Sequence, residues 1–196
     1  MDLELIKDIY NLHIKGFEGL DFNVIRKDNY EITYNKNIKD CYSNFISNFD
    51  VRDKQEFEII INEADKNFSK INRTTAIYLI PFMKELYDNR AKYFETDKYE
   101  LISTEAWQIY NDFSKLDDIN TNCNLNKIYG IYSLAIKKEY RSKGIGKEVL
   151  KQQLQMCKSK NIDIAYLQTE LGFYPNKMYK KFGFEDLCVV YYYLRK

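Results

Sequence analysis

Glycine is nearly missing from the middle of this 196-residue chain. Of seven glycines, Gly16 and Gly19 lie near the start, and the next is Gly130. Turns in that long interval must rest on Asn and Asp, as at Lys36-Asn37 and Asp88-Asn89. Histidine is rarer still: His13 is the only one. That all but removes histidine metal sites, and any Ser-His-Asp or Cys-His nucleophile would depend on this one residue. His13 sits in an amphipathic stretch and reads as structural. The cysteines Cys41, Cys123, Cys157 and Cys188 are scattered and form no CxxC pair. A disulfide scaffold and a zinc ribbon are therefore poorly supported, and free thiols in a reducing cytoplasm are the simpler account. The longest apolar stretches, Thr75–Phe82 and Ile128–Ile136, fall short of the ~20 residues of a membrane helix. The start, Met1-Asp2-Leu3-Glu4, lacks the basic n-region of a signal peptide. The expected location is cytoplasmic.

What is present fits a globular α/β protein. Hydrophobic residues make up 45% and charged residues 30%, which argues against disorder. The net charge of +1 argues against a general polyanion-coating role. The charge is unevenly spread, however. Residues 1–127 carry 17 basic and 23 acidic side chains, whereas residues 128–196 carry 13 basic and 6 acidic. A basic back of this size suits a compact polyphosphate ligand.

Periodicity predicts helices over Leu3–Ile14, Ile38–Phe49, Lys54–Phe68 and Phe82–Phe94. Phe22–Tyr34 alternates as one or two strands, and Thr74–Ile80 is a buried strand ended by Pro81. Tyr99–Tyr110 fits strand or helix. Leu116–Asn126, rich in Asp and Asn, reads as a loop. It divides an N-terminal α/β portion, residues 1–115, from a second portion, residues 116–196. No internal repeat is visible. In the second portion Lys127–Ile136 reads as a central strand, Gly144–Lys160 as an amphipathic helix, and Asp163–Thr169 as a second strand. Asn176–Phe182 reads as a short helix stopped by Gly183, and Asp186–Leu194 as a final strand. The strand-crossover-strand unit predicts parallel strands.

Tyr140-Arg141-Ser142-Lys143-Gly144-Ile145-Gly146-Lys147 joins a strand to a helix. Its glycines let backbone amides approach a ligand, the helix adds a positive end, and Arg141, Lys143 and Lys147 add full charges. Together they form a pyrophosphate cradle. Spacing excludes a Walker A loop, which would need glycine at Arg141 and Ser or Thr at Glu148. It also excludes a dinucleotide fingerprint, whose third glycine falls on Val149.

The remaining Arg-x-x-Gly-x-Gly pattern, at Arg141, Gly144 and Gly146, resembles the acetyl-CoA-binding motif of the GNAT superfamily of N-acetyltransferases. About thirty residues on, Met178-Tyr179-Lys180-Lys181-Phe182-Gly183-Phe184 resembles that family's second motif. The resemblance covers residues 128–196 and implies a GNAT-like fold, a central mixed sheet flanked by helices. It further implies that Leu134, Ala135 and Ile136 bond pantetheine along the strand before the loop. Arg141, Ser142, Lys143, Gly144, Ile145, Gly146 and Lys147 would hold the pyrophosphate, and Tyr179 would be the general acid. The other reading of Tyr179 is packing, as one of 18 tyrosines. Where many members have asparagine seven residues before that tyrosine, this chain has Gly172. The family's preceding strands would come from Phe22–Tyr34, Thr74–Ile80 and Tyr99–Tyr110, or else residues 1–110 form a diverged module packed on a shortened acetyltransferase half.

The implied activity is transfer of an acetyl group from acetyl-CoA to a primary amine of a small molecule or protein, without a metal. The acidic front favours a cationic acceptor. No general base is readable. Glu170 follows the second strand, and Glu139 reads as a solvated charge. Thr169 and Asn176 are further candidates for ligand contact, with helix capping an equal reading of Asn176. The rival reading is a non-catalytic acyl-CoA-binding regulatory module. A nucleic-acid binder ranks below both, because no recognition helix or reading motif is present. Neither nucleic acid nor membrane is expected as a partner. Tyr191-Tyr192-Tyr193 fits either the edge of a homodimer or a sheet interior.

Overall fold

The computed structural model describes residues 1–113, 127–132 and 134–196. The expected loop Leu116–Asn126 lies outside these described residues. Helices are α1 (Leu3–Glu18), α2 (Lys54–Ser69), α3 (Lys84–Asp88), α4 (Arg90–Phe94), α5 (Ile145–Ser159) and α6 (Tyr174–Lys181). Strands are β1 (Asn23–Arg26), β2 (Glu31–Tyr34), β3 (Asn44–Ser47), β4 (Ala76–Leu79), β5 (Tyr99–Tyr110), β6 (Ile128–Gly130), β7 (Ile164–Glu170) and β8 (Glu185–Arg195). They form a mixed sheet in the order β1-β2-β3-β4-β8-β5-β7-β6, flanked by helices. By contact density the chain divides into two compact units, Met1–Glu105 with Cys188–Lys196, and Ala106–Leu187.

In the first unit, α1 opens on Asp2, whose carboxylate accepts the Leu5 N–H at 3.0 Å. Its buried face is Ile6, Ile9, Tyr10 and Ile14, at helical spacing. The hairpin β1–β2 pairs Asn23 with Tyr34 and Arg26 with Glu31. β2 runs antiparallel to β3, and β3 parallel to β4, with α2 as the crossover. All four residues of β4 are buried, which is why this segment reads as an unbroken apolar run. Tyr191, Tyr192 and Tyr193 pair with Leu79, Tyr78 and Ile77. They therefore belong to an interior strand rather than an edge. Tyr192 stacks on Tyr78 at 4.4 Å and Tyr193 on Phe94 at 4.3 Å. The Glu31 carboxylate accepts the Tyr10 hydroxyl proton at 2.6 Å, and Ser47 Oγ lies 2.8 Å from the same hydroxyl. This satisfies a carboxylate that is 8% exposed.

The expected helix over Ile38–Phe49 is not formed. A single 3-10 turn, Cys41–Ser43, leads directly into β3. Asp40 takes the Ser43 N–H at 2.7 Å, and Asn44 Nδ2 donates to the carbonyls of Ile38 and Asp40, each at 2.8 Å. Short polar side chains thus claim the backbone groups that a helix would use. Phe82–Phe94 is two short helices, α3 and α4, broken at Asn89, whose amide donates back to Glu85 O. Tyr99–Tyr110 is a single long strand.

In the second unit β6 and β7 are parallel, with α5 crossing between them. Tyr110, Ile131, Leu150, Leu154, Cys157, Ala165, Leu167, Tyr179 and Phe184 form its core. The expected central strand Lys127–Ile136 proves to be short and to end the strand order. Its last ladder bond is Ile131 N–H to Tyr166 O at 2.8 Å. At Gly130 the ring of Tyr132 folds back over the strand, occupying the space of a Cβ, and the Tyr132 and Tyr166 hydroxyls hydrogen-bond. Residues 134–137 belong to no strand.

His13 packs edge-on to Phe17 at 4.8 Å, and both ring nitrogens are shielded from water. Burial lowers its pKa from 6.5 to about 4. The folded state therefore resists protonation that the unfolded chain accepts. Its contribution is intact above pH 6.5 and is lost as pH falls from 6.5 towards 4. Urea melts across that range should show wild type losing up to about 1.4 kcal/mol per pH unit more than His13→Leu. Parallel curves for the two proteins would refute the assignment.

Candidate active site

α5 begins at Gly144, whose φ of +78° is a left-handed conformation that glycine adopts without steric cost. The amides of Lys147 and Glu148 both donate to Gly144 O, at 3.0 and 3.1 Å. The amides of Ile145 and Gly146 precede that first turn, so the helix supplies them no acceptor. No side chain caps this end. The result is a bare helix N-terminus carrying partial positive charge. A Cβ on Gly146 would meet Ile136 Cγ1 at 3.5 Å, so the helix start lies against that side chain.

The connection from strand to helix is held by its own arginine. Arg141 Nε donates to Ile136 O at 3.0 Å, closing a loop around the 3-10 turn Lys138–Tyr140. Lys143 Nζ sits 5.6 Å from the Tyr140 ring centroid. Ser142 takes a φ of +62°. Ile136, Arg141, Ser142, Lys143, Gly144, Ile145, Gly146 and Lys147 are thus gathered in one loop and helix start. Arg141, Lys143 and Lys147 are exposed there. Leu134 packs half-buried on the core cluster, and Ala135 is exposed.

Tyr179 lies in α6, where it and Asn176 are the two buried residues. Its ring meets Phe184 in a T-shape at 5.6 Å. The Phe184 and Gly183 amides donate to Tyr179 O and Lys180 O at 3.1 and 3.0 Å. Gly183 has a φ of +94°, and a Cβ there would come 3.2 Å from the Tyr110 ring. The Gly-Phe pair after the tyrosine therefore ends the helix and packs its tail. Burial raises the Tyr179 pKa, so the phenol keeps its proton at neutral pH.

A buried polar ring beside α6 joins Thr169 and Asn176, both candidates from the sequence, to Gln108, which the sequence did not single out. Thr169 Oγ1 donates to Gln108 Oε1 at 3.1 Å, and Gln108 Nε2 donates to Asn176 O at 3.4 Å. Asn176 Nδ2 returns to Thr169 Oγ1 at 3.5 Å, while its Oδ1 accepts the Gly172 N–H at 3.3 Å. Gln108 is fully buried and Asn176 is 2% exposed. Next to this ring, Trp107 Nε1 donates to Gln168 Oε1 at 2.7 Å. Asn176 does not cap α6, whose N-cap is Phe173 with no side-chain bond; from the third residue of the helix it reaches back to the turn at Gly172. Only the pairing of β5 with β7 and α6 brings these groups together. Their polar character inside apolar strands was the available signal. Glu170 and Glu139 are both exposed. Among the described residues no group of three or more His, Cys, Asp or Glu is placed to hold a metal, and no helix is long and apolar enough to cross a membrane. Cys41, Cys157 and Cys188 are free thiols.

Residues 106–186 match the family model described as an acetyltransferase (GNAT) domain. No curated protein matches the chain significantly. Among solved structures, the fold is similar to a GCN5-related N-acetyltransferase from Kribbella flavida, with a TM-score of 0.68 and 9% identity. That likeness covers 97% of this chain and 95% of the other. It is also similar to a functionally unknown conserved protein from Staphylococcus epidermidis ATCC 12228, with a TM-score of 0.59, 12% identity, and 89% and 94% coverage. The family-model match thus covers residues 106–186, less than half of the chain, and the likeness to the two solved structures is one of fold.

Replacing Asn176 by Ala strands the Gly172 amide and removes the bond to Thr169. Chemical denaturation should show a loss of about 1–3 kcal/mol. A change below about 0.5 kcal/mol would mean that the ring does not hold the turn.

Proposed function

We propose that this protein transfers the acetyl group of acetyl-CoA to a primary amine of a small molecule or protein. One observation carries the reading: a glycine-started helix whose leading amides lack acceptors, set among Arg141, Lys143 and Lys147. That arrangement matches a diphosphate in charge and in hydrogen-bonding capacity. The segment Leu134–Ile136 leaves the ladder beyond Ile131. Its backbone groups there are the ones to bond pantetheine, beside the continuing strand β7.

The amine must arrive neutral, and its nitrogen attacks the thioester carbonyl carbon. The tetrahedral adduct collapses with cleavage of the C–S bond. The amine's extra proton leaves to water, the thiolate takes a proton from Tyr179 Oη, and the phenolate so formed recovers one from water, closing the cycle. A phenol of raised pKa is protonated when the thiolate departs, which suits it to this role. The acidic excess of residues 1–127 favours a cationic acceptor. We place the reaction in the cytoplasm, where the free thiols persist. A homodimer is compatible with this reading and is not required by it.

An amine panel with saturating acetyl-CoA should give turnover. Tyr179→Phe should lower the rate about 100-fold while leaving acetyl-CoA affinity within about twofold. An unchanged rate would remove Tyr179 as the acid. Tight acetyl-CoA binding with no turnover on any amine would favour the regulatory-module reading instead. Gly144→Glu should weaken acetyl-CoA binding at least about tenfold by calorimetry. Unchanged affinity in that variant would move the diphosphate elsewhere.

A further inference from the structure

The chain runs through the same series of elements twice. β3, α2, β4, the short helices α3 and α4, and β5 are followed by β6, α5, β7, α6 and β8. In each series the first two strands are parallel and joined by a helix, of 16 residues in α2 and 15 in α5. The starts of β3 and β6 are 84 residues apart, of α2 and α5 91, of β4 and β7 88, and of β5 and β8 86. The last strands are exchanged. β8 pairs with β4 of the first series, and β5 stands beside β7 of the second. Such an exchange of an equivalent element is what two related copies permit.

The two crossover helices begin in opposite ways. At α2 the cap is Asp53, whose carboxylate accepts the Glu56 N–H at 2.9 Å. Glu56 in turn accepts the Arg52 N–H at 3.0 Å and Arg52 Nε at 3.3 Å. Two of the chain's own carboxylates thus stand at the positive end of this helix. At α5 the cap is Gly144, and Lys147 holds the position that Glu56 holds in α2. Three residues before each cap stand Asp50 and Arg141 respectively. The charged residues lining the hollow beyond β3 and β4 are Asp50, Glu85 and Asp88, with Lys84 as the one cation. The same fold position is therefore mainly acidic and closed by a side-chain cap in one series, basic and without such a cap in the other.

We infer that residues 44–110 and 128–195 are two copies of one β-α-β-α-β unit. The chain accordingly holds a single acyl-CoA, in the second copy alone, because the equivalent helix start of the first carries carboxylates where the second has a glycine cap and cations. This inference rests on the acetyl-CoA reading above and adds the number and place of the sites. The first copy acts as scaffold, supplying β5 to the second and receiving β8 from it.

Calorimetric titration of the full chain with acetyl-CoA should give one site per chain. Building the closed arrangement into α5, as Gly144→Asp with Lys147→Glu, should abolish binding while the far-UV circular dichroism spectrum stays native. Should the double variant not fold, Lys147→Glu alone should weaken binding at least tenfold. Asp53→Ala with Glu56→Gln should lower the melting temperature and leave one site of unchanged affinity. Two sites per chain, or binding that survives in the closed α5 variant, would overturn the single-site inference and leave the acetyltransferase reading standing. A wild-type chain that binds no acetyl-CoA would bring down both.

Discussion

Two parallel strands in one sheet need a crossover, and a helical crossover returns its N-terminus to the carboxyl ends of the strands it joins. That constraint sets the rest of this molecule. In the β6-α5-β7 unit it brings leading amides, a partial positive charge and a strand that has left its ladder to one place. The sequence there supplies a glycine cap and three cations and leaves the helix end open. The apolar face of α5, with Leu150, Leu154 and Cys157, anchors the helix on the core formed by Ala165, Leu167, Tyr179 and Phe184. Burial of that face makes the exposed start rigid enough to serve as a binding element.

The same constraint acts in β3-α2-β4 with the opposite outcome. There Asp53 caps the Glu56 amide, and two carboxylates stand at the helix start. Capping is a stabilising device, and a bare helix end forgoes it. A chain with both kinds of start separates the two needs.

Tyr179 combines packing with the acid role proposed for it. Its ring belongs to the core and touches Phe184, so it is fixed in position, and the same burial holds its phenol in the protonated form. Gly183 ends α6 in a conformation open to glycine and lies against Tyr110. The Asn176 ring with Gln108 and Thr169 ties the other end of α6 to the strands. The tyrosine is thus held from both sides by contacts that involve no ligand.

The sequence by itself determined what local chemistry decides. Gly144 and Gly146 with their flanking cations, Gly183 after Tyr179, and the amphipathic pattern of α1, α2 and α5 are legible because each depends on neighbours within a few residues. The resemblance to the superfamily was readable on those grounds. Only the tertiary structure decided the matters that distant partners settle. Asn44–Ser47 became a strand because it pairs with β2 and β4. Ile128–Ile136 lost its second half because Tyr132 folds over Gly130 and bonds to Tyr166. Gln108, Thr169 and Asn176 met because strand order places β5 beside β7. The doubled β-α-β-α-β series is invisible in the residues, since topology persists where the side chains have come to carry opposite charge.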